Sequence, residues 1–86
     1  MNDLDSLREH IDKIDEEILD LIHERTIVMK RLGQVKKDTG RVIRDLKREE
    51  EKLESLTQKA ALLSIPQKIV QGIWHLFFEF SETIEK

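Results

Sequence analysis

The sequence predicts an all-α fold of three helices, one long and two shorter. In three segments, apolar residues recur at alternating spacings of three and four, which is the period of an amphipathic helix. The 86 residues include only three glycines and one proline, which argues against a β fold or a loop-rich fold. The chain is also short and 38% charged, so a single copy would bury only a thin core. We therefore expect one domain, residues 1–86, that associates with itself.

The first predicted helix spans residues 3–38, with Gly33 as its only glycine and no proline. Its apolar stripe consists of Leu4, Leu7, Ile11, Ile14, Ile18, Leu21, Val28, Leu32 and Val35. Such a helix is on the order of 50 Å long at 1.5 Å per residue. A compact globule of this size would have a radius of gyration of only about 12 Å. Because the helix needs apolar partners along its whole length, the sequence predicts an intertwined helical homodimer.

Two shorter helices follow a break at Thr39 and Gly40, where glycine favours a helix end. Asp45 is the expected N-cap of the second helix, which reaches about residue 63. Its apolar face consists of Leu46, Leu53, Leu56, Ala60 and Leu63. Residues 64–66 form the next turn, and the third helix starts at Pro66 and continues to the end. We expect its aromatic residues in the core: Trp74, Phe77, Phe78 and Phe80.

The net charge of −3 conceals a strong asymmetry along the chain. Residues 30–48 carry eight basic and two acidic side chains, whereas residues 1–29 carry three basic and nine acidic ones. A basic zone in an acidic protein suggests an anionic partner, although a solvated helix surface is the simpler explanation. The zone has no interleaved aromatic residue and the isoelectric point is about 5.6, so we do not expect a nucleic-acid partner.

Several protein classes are disfavoured by what the sequence contains. There is no cysteine, and the three histidines have no ligand spacing, so we expect no disulfide and no metal. No apolar run approaches the roughly 20 residues that span a bilayer, so we expect no membrane partner. The first residues include acidic side chains and lack a basic, then apolar, secretory pattern. A cytoplasmic location is the resulting expectation.

Charged residues occupy two positions of the apolar stripes. Arg25 takes the next position of the first stripe after Leu21, and Glu49 follows Leu46 on the second. Burying a lone charge is costly, so such residues should be paired or should face a ligand. Arg25 and Glu49 pairing with each other, or extending to the surface, is the simpler alternative.

Other cations are placed so that they could join Arg25 around one small dianion. Lys36 lies eleven residues after Arg25, close to three helical turns, so both point the same way about 16 Å apart. Arg8 lies seventeen residues before Arg25, roughly 25 Å along the axis. The two arginines of one chain therefore cannot grip one small molecule, but Arg8 of an antiparallel partner chain could reach it.

The shorter helices carry polar residues that share faces. Asp45, Arg48 and Glu49 lie at positions i, i+3 and i+4, where capping and a surface ion pair are the simpler explanations. Ser81 and Glu85, also four residues apart, extend one face of the third helix, where they could equally be surface residues near a helix end.

Taken in order, these segments resemble the all-helical class of chorismate mutases. The matching residues are Leu7-Arg8-x-x-Ile11-Asp12-x-Ile14-Asp15, Glu24-Arg25, Gly33-x-x-Lys36 and Val42-x-Arg44-Asp45-x-x-Arg48-Glu49. Each piece is a weak pattern, but their order and spacing from residue 4 to residue 85 make a fairly specific signature.

The resemblance implies an intertwined dimer of three-helix chains, whose two active sites each take one arginine from the partner. It implies that Arg8 reaches in from the partner to one carboxylate of a dianionic substrate. Arg25 would bind the other carboxylate, and Lys36 would contact a carboxylate and the ether oxygen. The resemblance further implies that the Asp45 backbone and the Glu49 side chain hold the ring hydroxyl.

Arg48 and Ser81 would then support orientation and carboxylate binding. The implied reaction is the pericyclic conversion of chorismate to prephenate, which requires no cofactor and no metal. Lys36, Arg25 and Glu85 would be the catalytic residues. They would stabilise the near-attack geometry and the charge that develops on the ether oxygen.

Glu85 departs from the bacterial pattern, in which glutamine usually donates a hydrogen bond to the ether oxygen. Fungal relatives resemble this chain in having glutamate there. An ionised carboxylate only accepts hydrogen bonds, so a protonated Glu85 would be needed, and activity should fall as pH rises from about 5 to 8. Two alternatives stay open: an isochorismate pyruvate-lyase, which resembles this class, and a non-catalytic helical dimerisation or regulatory module.

Overall fold

The computed structural model describes residues 3–40 and 45–85, which form three helices and no strand. They are α1, Asp3–Thr39, α2, Leu46–Leu62, and α3, Gln67–Glu85. The predicted all-α class and the order of one long and two shorter helices are confirmed. Within the described residues, each helix end lies at the predicted residue or one residue from it, because terminal turns depend on local caps that periodicity does not define.

The helix ends follow local backbone chemistry. Gly40, with φ of +71°, occupies the left-handed region at the end of α1, where its N–H donates to the Lys37 carbonyl at 3.3 Å. Asp45 caps α2 as predicted, since its carboxylate accepts the Arg48 backbone N–H at 3.0 Å. After α2, Ser64 also adopts a left-handed φ of 59°, and the Ile65 N–H donates to the Ala60 carbonyl at 2.8 Å. Pro66 then lies immediately before α3.

Helix α3 packs against both α1 and α2 and thereby holds them together. The core at these contacts is small, with Ala60, Val70 and Ser81 buried along with Gly33. The ring of Trp74 meets that of Phe77 edge-on, with centroids 5.5 Å apart and planes at 83°. The expectation that Phe80 also lies in the core is wrong for one chain, since 45% of it is exposed. It precedes the buried Ser81 by one residue, about 100° around the helix.

The single chain is elongated, at 57 × 25 × 15 Å, with a radius of gyration of 16.4 Å. The amino-terminal half of α1 extends beyond the other helices, and its apolar stripe is uncovered. Six side chains of this stripe are between 43% and 62% exposed: Leu4, Leu7, Ile11, Ile14, Ile18 and Leu21. None of the helices in the described ranges is long and apolar enough to cross a membrane.

Candidate active site

A cleft forms where the carboxyl-terminal half of α1, the first half of α2 and the end of α3 come together. It is lined by Arg25, Met29, Leu32, Lys36, Asp45, Arg48, Glu49, Lys52, Phe78, Ser81 and Glu82. Its cavity volume in one chain is about 80 Å³. Sites for small molecules typically enclose roughly 300–1,000 Å³. The cleft of a single chain is therefore smaller than a typical small-molecule site.

Helix α1 contributes two cations separated by apolar residues. Arg25, Met29, Leu32 and Lys36 follow one another at spacings of four, three and four, so one face of the helix presents them all. The Arg25 guanidinium carbon lies 4.4 Å from the centroid of the Phe77 ring, within the range of a cation–π contact. Burial lowers the pKa of Arg25, although an arginine stays charged at neutral pH. The contact with Phe77 fixes this cation where the cleft begins.

Helix α2 contributes Asp45, Arg48, Glu49 and Lys52, again at helical spacing on one face. The Asp45 carboxylate is engaged by the Arg48 backbone N–H, so the start of the helix is held firmly at the cleft. The pKa of Lys52 is lowered, first by desolvation and then by the positive charges of Arg25 and Arg48. Lys52 therefore lies near Arg48 on its own helix and near Arg25 on the α1 side of the cleft.

Helix α3 closes the third side with Phe78, Ser81 and Glu82. Ser81 is buried, and its hydroxyl donates to the Phe77 carbonyl at 2.8 Å. To donate to a carboxylate instead, the hydroxyl would have to rotate away from that carbonyl. Two turns before Ser81, the buried indole N–H of Trp74 has no acceptor within the described residues.

Six of the eight residues singled out from the sequence line this one cleft: Arg25, Lys36, Asp45, Arg48, Glu49 and Ser81. Arg8 is exposed on the amino-terminal half of α1 and does not line the cleft of its own chain. The side chain of Glu85 lies outside the described part of the chain.

Sequence reasoning missed five residues of the lining: Met29, Leu32, Lys52, Phe78 and Glu82. Helical periodicity was the signal that could have found them. Lys52 follows Arg48 by four residues, and Glu82 follows Phe78 by four, so each shares a face with another cleft residue.

Among the described residues, the lining carries four cations and three carboxylates, a formal excess of one positive charge. The cations are Arg25, Lys36, Arg48 and Lys52, and the carboxylates are Asp45, Glu49 and Glu82. Across residues 3–40 and 45–85, no cluster of three or more histidines and acidic residues is suited to a metal ion. A partly apolar cleft with clustered cations is suited to a small organic anion.

Comparison with known proteins shows the family of the chain. A family model described as chorismate mutase type II matches residues 7–86. The chain belongs to this family. The all-helical chorismate mutase class predicted from the sequence motifs is thereby confirmed.

A relative supports the assignment over a shorter range. The bifunctional chorismate mutase/prephenate dehydratase of Aquifex aeolicus (strain VF5) is 43% identical over 56 residues. The match covers 65% of this chain and 16% of that protein. The chain thus corresponds to a small part of that relative.

Proposed function

We propose that this chain catalyses the rearrangement of chorismate to prephenate, a step of phenylalanine and tyrosine biosynthesis, in the cleft between its three helices. The convergence of Arg25, Lys36 and Arg48 on one partly apolar cleft, in a chain of this family, carries the proposal. Chorismate has two carboxylates, so cations are required where a helical seam would otherwise be apolar.

The reaction breaks one C–O bond and forms one C–C bond within the same molecule. No proton, electron or group is exchanged with the protein, so catalysis consists of positioning and electrostatic stabilisation. Arg25, held over Phe77, binds one carboxylate and orients the enolpyruvyl arm over the ring. Lys36 binds a carboxylate and stabilises the negative charge that develops on the ether oxygen. Both cations act without rearrangement at the moment of bond breaking.

Residues of α2 and α3 hold the rest of the substrate. The ring hydroxyl binds to the Glu49 side chain and the Asp45 backbone. Arg48 and Ser81 support orientation and carboxylate binding. Glu85 would complete the site by donating a hydrogen bond to the ether oxygen when its carboxyl is protonated.

We further propose that the working unit is an intertwined homodimer, in which each cleft receives Arg8 from the partner chain. The uncovered stripe on α1 supports this proposal, since half-exposed leucines and isoleucines over six positions would be buried by a second copy. The small cavity volume of one chain supports it as well, because the partner helix would supply the missing wall. The proposed single domain and the cytoplasmic location stay predictions.

The proposal is tested by following chorismate disappearance by absorbance at pH 5 and pH 7.5, with the product identified. We expect prephenate as the product. Lys36→Gln should lower kcat about 100-fold or more, as for the loss of one preorganised charge-stabilising group. Lys37→Gln is the matched control, since Lys37 is the adjacent, exposed lysine and does not line the cleft.

Two results would contradict the proposal. A folded, purified protein that leaves chorismate unchanged but cleaves isochorismate would identify a pyruvate-lyase. Turnover of neither substrate would leave the non-catalytic dimerisation or regulatory module. Equal activity of the Lys36→Gln and Lys37→Gln variants would remove Lys36 from the mechanism.

A further inference from the structure

Lys52 is a cation of the cleft that the roles described above do not use. It lies on α2, four residues after Arg48 and three after Glu49, and it lines the cleft with both. Its side chain is half-buried, as expected when the stem packs in the cleft and the ammonium group remains at its surface.

The surroundings of Lys52 are unfavourable for a cation in the empty cleft. Desolvation and the charges of Arg25 and Arg48 both disfavour its ammonium form. Among the described side chains, the charges that act on the pKa of Lys52 are those of the two arginines, and both lower it. Three positive groups therefore approach one another, and an anion placed between them would relieve the repulsion.

The charge of the lining depends on this residue. Without Lys52, three cations would face three carboxylates, and the cleft would carry no formal excess of charge. With Lys52, the cleft lining has a formal excess of positive charge. Arg8 of a second copy would raise this positive charge to match the charge of a dianion. Lys52 lies one turn beyond Arg48 on α2, and the charges of Arg48 and Arg25 both act on its ammonium group, so Lys52 lies at the Arg25–Arg48 end of the cleft.

We propose that Lys52 is a further substrate-binding residue, whose ammonium group contacts the substrate carboxylate held at the Arg25–Arg48 end of the cleft. This inference rests on the proposed function for the identity of the substrate. Because the carboxylate is present in both the ground state and the transition state, Lys52 contributes uniform binding. It lowers KM and leaves kcat nearly unchanged.

The test compares Lys52→Met, which keeps the stem and removes the charge, with Lys52→Arg, which keeps the charge. Lys59→Met is the matched control, because Lys59 lies exposed on the same helix and outside the cleft. We expect Lys52→Met to raise KM for chorismate about tenfold, which corresponds to the loss of one charge-assisted hydrogen bond. The kcat of this variant should stay within about twofold of that of the unsubstituted protein. Lys52→Arg should restore most of the affinity, and Lys59→Met should leave KM unchanged.

Calorimetric titration with prephenate measures binding independently of turnover, and circular dichroism establishes that each variant is folded. The same pattern should appear there, with weaker binding for Lys52→Met alone. If the unsubstituted protein turns over chorismate but KM is unchanged in Lys52→Met, the role of Lys52 is refuted and the proposed function stands.

If chorismate is not turned over, the proposed function fails, and the prephenate titration decides the role of Lys52 alone. Weaker binding in Lys52→Met then supports an anion-binding role, and equal binding refutes it. A protein that neither turns over chorismate nor binds prephenate refutes both. A drop in kcat with unchanged KM would also overturn the inference, since it would place Lys52 in transition-state stabilisation.

Discussion

Replacing Ile14 by aspartate tests the proposed dimer, because Ile14 lies in the middle of the uncovered stripe on α1. In one chain, 43% of Ile14 is still exposed. Full burial of such a side chain contributes roughly 1.5–3 kcal/mol, so the exposed part corresponds to about 1 kcal/mol per copy. A symmetric dimer loses this twice, about 2 kcal/mol. Each buried carboxylate adds an unfavourable desolvation term of at least about 1 kcal/mol.

The expected total is therefore about 4 kcal/mol, which weakens dimerisation about 1,000-fold. Sedimentation equilibrium over a concentration series measures this directly, since the dimer has twice the 10.2 kDa mass of the chain. Glu16→Asp is the control, because it places the same residue two positions along the helix, on the opposite face. Activity should fall with dissociation, since each cleft would lose the partner's Arg8. An Ile14→Asp protein that stays dimeric at micromolar concentration, or an unsubstituted protein that is monomeric, would refute this reasoning.

Four further predictions concern the cleft. Asp45→Ala should lower the free energy of unfolding by about 1 kcal/mol through loss of the α2 cap, whereas Asp45→Asn should retain the cap, as measured by urea denaturation. Phe77→Leu should raise KM for chorismate by a factor of about 2 to 5, as expected if the cation–π contact that positions Arg25 is worth about 0.5–1 kcal/mol; an unchanged KM would show that Arg25 is held by other contacts. Because the folded-state pKa of Lys52 is lowered, its charge opposes folding below that pKa, and the penalty declines as pH rises from the folded-state pKa to the ordinary pKa of a lysine. Lys52→Met should therefore raise the Tm at pH 7 by about 2 °C, a small gain because solvent screens the partly exposed ammonium group; a lower Tm at pH 7 would contradict the repulsion. Glu85→Gln should flatten the pH–rate profile between about pH 5 and 8, because an amide donates a hydrogen bond at every pH, and a profile that keeps its slope would exclude Glu85 as the titrating donor.

Much of the fold could be predicted from residue order, because helices are local structures. The alternating spacing of Leu4, Leu7 and Ile11 requires only neighbours along the chain, and so does capping by Asp45. The sequence also indicated which charges interrupt apolar faces. Arg25 and Glu49 were identified in this way, and the structure places both in one cleft.

Helical periodicity does not define which side chains of different helices meet or which stay exposed. The relative placement of the helices determines both. Lys52 looks like an ordinary surface lysine, one turn from Arg48, until α3 holds α2 across the cleft from α1 and the charge of Arg25 also acts on its ammonium group. The sequence predicts Phe80 in the core, but its position around α3 leaves it exposed. The sequence by itself determined the three helices, the family motifs and most candidate site residues, since these depend on local spacing. Only the tertiary structure decided which faces meet, because burial and the interaction of charges depend on distances between residues far apart in the chain.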